Sequence, residues 1–392
     1  MPVNENNAYH ITERLSFPRL IGSEGEKRAI QTVINEFQNA GYESIQREKF
    51  QTSFYNWILI RFLFIPIGML IILMAISIYI NSYLTIVLVL VNIFITFRVL
   101  KIVTSSKVKL MKNHSKNYET ENIYVDLKND NAKKKIVLMA HWDSKSQVFP
   151  SSIRIMIFII SAFGFLILII LYLILSITQL LINFKFLLLD HILLSISIVI
   201  VSISLLNYFN KTANNSPGAF DNASGVGVVI ELARYYKTNS IKNLDFLFLC
   251  TSSEELNLGG AKSFIHTHKS EFDQNKSYFI NFDLIGGNEL IQIITSFGIP
   301  RKNSSRKLNK LFLESASELN INIKDVYLPT GAWSDYIPIV QEGFEACWIA
   351  SQPGLKLVHT KKDTMSIVSK ESLKNTLLLC VEVIKKLNDE SL

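Results

Sequence analysis

Seven side chains sit where chemistry would need them. His141 and Asp143 stand in His141-Trp142-Asp143-Ser144, and Asp221 in Gly218-Ala219-Phe220-Asp221-Asn222-Ala223-Ser224-Gly225. Glu254 and Glu255 are adjacent, Asp283 ends an apolar run, and His359 lies in Val358-His359-Thr360-Lys361-Lys362-Asp363-Thr364. Each alone is weak. A lone His is more often a surface or satisfied core residue, an Asp before a helix is usually a cap, a Glu pair is usually a solvated turn, and Asp283 could simply accept a hydrogen bond at a strand end. As a set they suit zinc, because two imidazoles and several carboxylates gathered at one edge form a sensible donor shell. A cation also removes the repulsion that such carboxylates would otherwise feel. Read alone, Asp143 is a simple turn residue and Asp363 a loop or cap acceptor.

The elements that position these residues alternate along the chain. Ser23-Glu24-Gly25-Glu26 opens an amphipathic helix that carries Ile30, Val33, Ile34 and Phe37 on one face and ends near Gly41. Strands are predicted at 44–52, 122–127, 135–140, 244–250, 277–283 and 345–350, and helices at 222–236, 260–269, 306–319 and 370–387. This alternation implies an α/β fold with a mostly parallel, mixed sheet covered by helices on both faces. Several of the candidate ligands fall at or just past the C-terminal ends of strands, where open α/β sheets place their sites.

Four apolar stretches interrupt the fold, at 62–80, 83–100, 155–178 and 186–209, each near the roughly 20 residues needed to cross a bilayer. Buried strands run only about 4 to 8 residues, which excludes a sheet reading for stretches of this length. Arg98, Asp190 and His191 lie near span ends, where interfacial charge is tolerated. The spans pair into two transmembrane hairpins, 62–100 and 155–209, dividing one polar domain into 1–61, 101–154 and 210–392. Lys101, Lys107, Lys109, Lys112, Lys116 and Lys211 flank the spans on the side of that domain, whereas the outer loops carry only Lys185. The positive-inside rule therefore predicts an integral membrane protein with a cytoplasmic catalytic domain. No apolar leader core occurs over residues 1–14. The net charge of +7 sits largely beside the spans, where anionic lipid is the expected partner, and no nucleic-acid motif accompanies it. Cys250, Cys347 and Cys380 form no spaced framework and read as reduced, buried thiols.

As an ordered set, His141-Trp142-Asp143-Ser144, Asp221-Asn222-Ala223-Ser224-Gly225, Glu254-Glu255, Asp283 and His359-Thr360-Lys361-Lys362-Asp363-Thr364 resemble the zinc metallopeptidase family of bacterial aminopeptidases and related glutaminyl cyclases. Pro18-Arg19-Leu20-Ile21-Gly22-Ser23-Glu24-Gly25 extends the resemblance to the start of the polar part. It implies two zinc ions bridged by Asp221, one also held by His141 and Asp283 and the other by Glu255 and His359. Glu254 is then the general base toward a water between the metals, Asp143 a partner of His141, and a peptide the substrate. In Ser334-Asp335-Tyr336-Ile337-Pro338, Tyr336 stands where the family commonly has His. Trp142, Trp333 and Trp348 are candidates for a pocket wall, with core packing the ordinary role of each. A single-zinc glutaminyl cyclase-like acyltransferase is the alternative, because His141-Trp142-Asp143-Ser144-Lys145 and Asp283-Leu284-Ile285-Gly286 look somewhat like that branch. A non-catalytic scaffold is a further alternative, disfavoured because every proposed ligand and the base are present.

Overall fold

The computed structural model describes residues 2–103, 107–287, 290–329, 333–351 and 356–389. It contains two compact units, one formed by residues 1–54, 106–146 and 213–392 and the other by 55–105 and 147–212.

In the first unit the chain forms strands β1 (Gln46–Ser53), β2 (Asn117–Leu127), β3 (Lys134–His141), β4 (Leu244–Thr251), β5 (Ser277–Phe282), β6 (Ile291–Phe297), β7 (Ile323–Leu328) and β8 (Glu345–Ser351). They join in the order β1-β2-β4-β3-β5-β8-β6-β7, with the short Lys302–Asn303 pairing alongside β6. The β4-β3-β5-β8 centre is parallel, while β1, β2 and β6 introduce antiparallel pairings. The sheet is thus mixed and mostly parallel at its heart, as expected. Ile136, Val137, Leu138, Met139 and Ala140 are all buried because both sheet faces are covered. Val137, Met139, Leu247 and Leu249 pack with Ala261, Phe264, Ile265, Ile337 and Ile339 from helices Gly259–His268 and Tyr336–Gln341. Alternation of side chains sends Phe246 to the opposite face. There its ring stacks on Tyr236 of helix Ser224–Thr238 with centroids 4.3 Å apart.

The second helix of the chain, Glu24–Asn39, starts as its sequence predicts. Ser23 Oγ accepts from the Glu26 amide, while Glu26 Oε2 accepts from the Gly22 amide at 2.6 Å. Helix Glu5–Leu15 has no counterpart in the sequence expectation, because it buries only Ala8, Ile11, Thr12 and Leu15 and is otherwise polar. Strands β6 and β7 were likewise not expected. The three cysteines are free and buried, as anticipated.

The second unit contains helices Tyr55–Ile80, Ser82–Val103, Ser151–Ile182 and Leu187–Phe209, all long and apolar enough to cross a membrane. The first three expected apolar stretches lie within one of these helices each, and the fourth, 186–209, starts one residue before its helix, with Phe186 at the cap. The first begins seven residues earlier than its apolar run, and Arg61 is accommodated there by donating Nη2 to the Tyr208 carbonyl at 2.9 Å. The inward faces bury Phe64, Ile71, Met74, Phe165, Leu168 and Tyr172, while the outward faces expose large aliphatics. That is the reverse of an aqueous surface. Gly164 permits close helix approach, since a Cβ there would meet Ile200 Cγ2 at 2.8 Å. Asp190, expected at an interface, is in the first turn of its helix but fully enclosed, and its two oxygens accept from Gln179 Nε2 at 2.9 and 3.2 Å.

Candidate metal centre

The end of β3 delivers His141, the turn after β4 delivers Glu254 and Glu255, the residue after β5 is Asp283, and two loops bring in Asp221 and His359. The structure brings all of them together. His141 Nε2 lies 3.3 Å from Asp221 Oδ1 and 3.5 Å from Asp283 Oδ1. His359 Nε2 lies 3.1 Å from Asp221 Oδ2 and 3.0 Å from Glu255 Oε2. Two donor triads result, His141/Asp221/Asp283 and Asp221/Glu255/His359, each with ligand atoms within 4.8 Å of one another. They share Asp221, which turns one carboxylate oxygen toward each imidazole.

This donor chemistry fits a metal. His141 Nε2 and Asp283 Oδ1 are buried without a hydrogen bond of good geometry among the described residues, which is costly unless a further partner is supplied. Nitrogen and carboxylate donors at this spacing suit zinc. Glu254 belongs to neither triad. Its Oε2 is 3.9 Å from His141 Nε2, close to the centre yet free of the ligand sets.

The supporting shell holds backbone more than side chains. Asp143, expected to orient His141, accepts from the amides of Glu254 and Glu255 at 3.1 and 3.3 Å. His141 Nδ1 meets the Asp143 carbonyl at 3.2 Å, with the Asp143 carboxylate at 3.5 Å. Asp363, read from sequence as a loop or cap acceptor, receives the Phe220 and Asp221 amides at 2.7 and 3.1 Å and so fixes the backbone of Asp221, the residue common to both donor triads. Ser334 Oγ accepts from Asn281 Nδ2 and donates to Asp283 Oδ2, both at 2.6 Å. Ser253 and His359 hold left-handed backbones at φ of 59° and 62°, a strained choice for residues with side chains that is concentrated here at the centre.

Nothing in Pro18-Arg19-Leu20 announces the part that Arg19 plays in supporting the centre. Its fully buried guanidinium donates to the carbonyls of Leu15, Phe17, Trp142, Pro217 and Gly218, tying the approach to His141 to the approach to Asp221. Burial lowers its pKa to about 10, against the opposing pull of Asp363, Asp143, Asp221 and Glu255. Trp142 and Trp348 are buried, the latter donating Nε1 to the Asp283 carbonyl at 3.0 Å, whereas Trp333 is exposed. Tyr336 packs in the core against Phe297 and Trp348.

Crowding of buried carboxylates sets the electrostatics. Burial raises the Glu254 carboxyl well above the usual range, with Glu255, Asp283 and Asp335 adding to the effect and His141 opposing it. Burial also lifts Asp335 and Asp363 to about 7. Burial disfavours charge on His141, but Glu254, Asp283, Asp143 and Asp221 outweigh it and raise its pKa. Asp221 and Glu255 run the other way; burial opposes their charge, but the histidines, and Lys145 for Glu255, hold both carboxyls down. A stability consequence follows for the metal-free protein. Asp335 and Asp363 bind more protons folded than unfolded between pH ~4 and their raised values near 7, so stability falls as pH rises through that window. His141, with its raised pKa, contributes stability that is likewise lost with rising pH, while the depressed Asp221 and Glu255 act only below the ordinary carboxylate range. Thermal melts of the chelated protein should therefore show a lower Tm at pH 7.5 than at pH 5.5, with zinc removing most of the difference. An equal or higher Tm at pH 7.5 without metal would contradict this electrostatic account.

Residues 201–384 match the model of Peptidase family M28. A stretch of 173 residues is 30% identical to aminopeptidase YwaD of Bacillus subtilis, covering 40% of this chain and 35% of that relative. The match therefore spans about a third of the length of the curated relative. Among solved structures, an aminopeptidase from Aneurinibacillus sp. strain AM-1 aligns over 98% of this chain and 94% of its own, with a TM-score of 0.58 and 14% identity. The glutaminyl cyclase of an Acidobacteriales bacterium aligns over 100% and 97%, with a TM-score of 0.57 and 14% identity. The zinc aminopeptidase of Bacillus subtilis aligns over 98% and 95%, with a TM-score of 0.55 and 14% identity. At that identity the structural likeness speaks to the fold alone, and it is the α/β fold of the zinc aminopeptidases. The chain thus has its sequence match in peptidase family M28 and its structural neighbours among aminopeptidases and a glutaminyl cyclase.

Proposed function

We propose that the chain is a membrane-anchored, zinc-dependent aminopeptidase that hydrolyses N-terminal peptide bonds. The observation that carries this reading is the Asp221 carboxylate, which faces His141 with one oxygen and His359 with the other. His141 and Asp283 would hold one zinc with Asp221, and Glu255 and His359 the second. Zinc at these positions would supply a lowered pKa for water and polarisation of the scissile carbonyl. Glu254 takes the proton of the attacking water and returns it to the leaving amine nitrogen as the C–N bond breaks. Burial raises the Glu254 carboxyl above the usual range, so it holds a proton more readily than an exposed glutamate. Asp143 positions this base through the Glu254 amide, and Asp363 positions the shared ligand. In this reading the four apolar helices anchor the enzyme in the bilayer, and the flanking lysines support a cytoplasmic catalytic domain by the positive-inside rule.

The glutaminyl cyclase neighbour and the Ser144-Lys145 sequence give a second reading, in which one zinc supports closure of an N-terminal Gln with release of ammonia. One experiment separates the two. Purified full-length protein is assayed for zinc by elemental analysis and against peptides with free, blocked and Gln-initiated N-termini. Hydrolysis of free N-termini with two zinc ions per chain is expected. Ammonia release from Gln peptides alone, with one zinc ion, would establish the cyclase instead.

A further inference from the structure

Lys145 directly follows the His141-Trp142-Asp143-Ser144 motif and is 96% buried, since only 4% of its surface is exposed. Its Nζ lies 2.7 Å from Glu255 Oε2 and donates to the Glu255 carbonyl at 3.2 Å. The same Oε2 is the atom 3.0 Å from His359 Nε2. The oxygen that faces the Asp221/His359 donor set is therefore shared with an ammonium. Burying a lysine is costly, and a buried carboxylate is its natural partner. The Lys145 charge, however, falls on a carboxylate in one of the candidate donor sets.

We propose that Lys145 acts as a resident cation of the metal centre, setting it to hold one divalent ion tightly and a second one weakly. The inference rests on the two-metal reading above. The three ligand carboxylates Asp221, Glu255 and Asp283 carry three negative charges. The Lys145 ammonium and one divalent ion balance them completely. A second divalent ion then enters a centre whose ligand charge is already neutralised. The carboxylates outside the donor sets, Glu254 beside His141 and Asp143 and Asp363 on backbone amides, compensate it only in part. Lys145 is a positioning residue in this account, acting through Glu255 and not on substrate.

The test is calorimetric titration of zinc into the metal-stripped, full-length protein in detergent, repeated with cobalt so that each step carries a visible absorption band. The parent should show two steps, the second weaker by at least about tenfold. Lys145→Met should tighten the second step by about tenfold while leaving the first little changed, and Lys145→Arg, which keeps the charge, should restore the parent isotherm. Should Lys145→Met fail to fold, Lys145→Gln decides, since it removes the charge and keeps a donor for Glu255. A second step equal to or weaker than the parent's in the uncharged variants overturns the role of Lys145 alone. A single ion in the parent and in every variant removes the two-metal reading itself. A single ion in the parent with two in the uncharged variants supports the inference in its strongest form.

Discussion

Glu254→Gln is expected to abolish peptide hydrolysis while leaving the zinc content of the protein unchanged. Gln keeps the size of the side chain and leaves the amide bond to Asp143 in place, because that contact uses the Glu254 backbone. What it removes is the ability to accept a proton. Glu254 stands outside both donor triads, 3.9 Å from His141 Nε2, so the substitution takes no ligand from either position. General-base assistance contributes about 10²- to 10⁴-fold in rate, and the loss should be at least of that order. It should appear in kcat, since the group is asked to work as charge moves in the transition state. Parent turnover by the Gln variant would remove Glu254 from the mechanism, and loss of zinc along with activity would instead make Glu254 a ligand.

Much of this centre was legible in the sequence because several of the candidate ligands are tied to a local signal. His141 ends the apolar run Ile136-Val137-Leu138-Met139-Ala140, Glu254 and Glu255 follow the run from Leu244 to Cys250, and Asp283 follows another, so strand polarity alone brings them to one edge. The four long apolar helices were equally plain, since length and continuous hydrophobicity leave few alternatives. What escaped was whatever depends on the path of the backbone in three dimensions. Asp363 is only four residues after His359, and nothing in that spacing announces that its carboxylate will hold the amides of Phe220 and Asp221. Arg19 meets carbonyls from three separate stretches of chain, a pattern invisible until those stretches converge. Strand β7 carries Lys324 and Asp325 on a half-exposed edge, so its composition resembles a loop, and the antiparallel entry of β6 beside β8 is a matter of topology that local pattern does not encode.

The shared position of Asp221 leads to the prediction with the second largest effect. Substituting a ligand that serves one donor set should cost one metal ion, whereas substituting the ligand that serves both should cost two. Asp283→Ala and His359→Ala each leave the other triad complete, and elemental analysis should find about one zinc ion per chain in each variant. Asp221→Ala withdraws the oxygen facing His141 and the oxygen facing His359 together, so neither position keeps more than two of its three donors. Zinc should then fall below detection after dialysis, with affinity down by about 100-fold or more at both positions. The fold itself is expected to survive, because the backbone at residue 221 remains held by Asp363 and the neighbouring Gly218 carbonyl by Arg19. A protein carrying Asp221→Ala that retained one tightly bound zinc would show that the residue serves a single position, and the bridging arrangement on which the proposed hydrolysis depends would have to be given up.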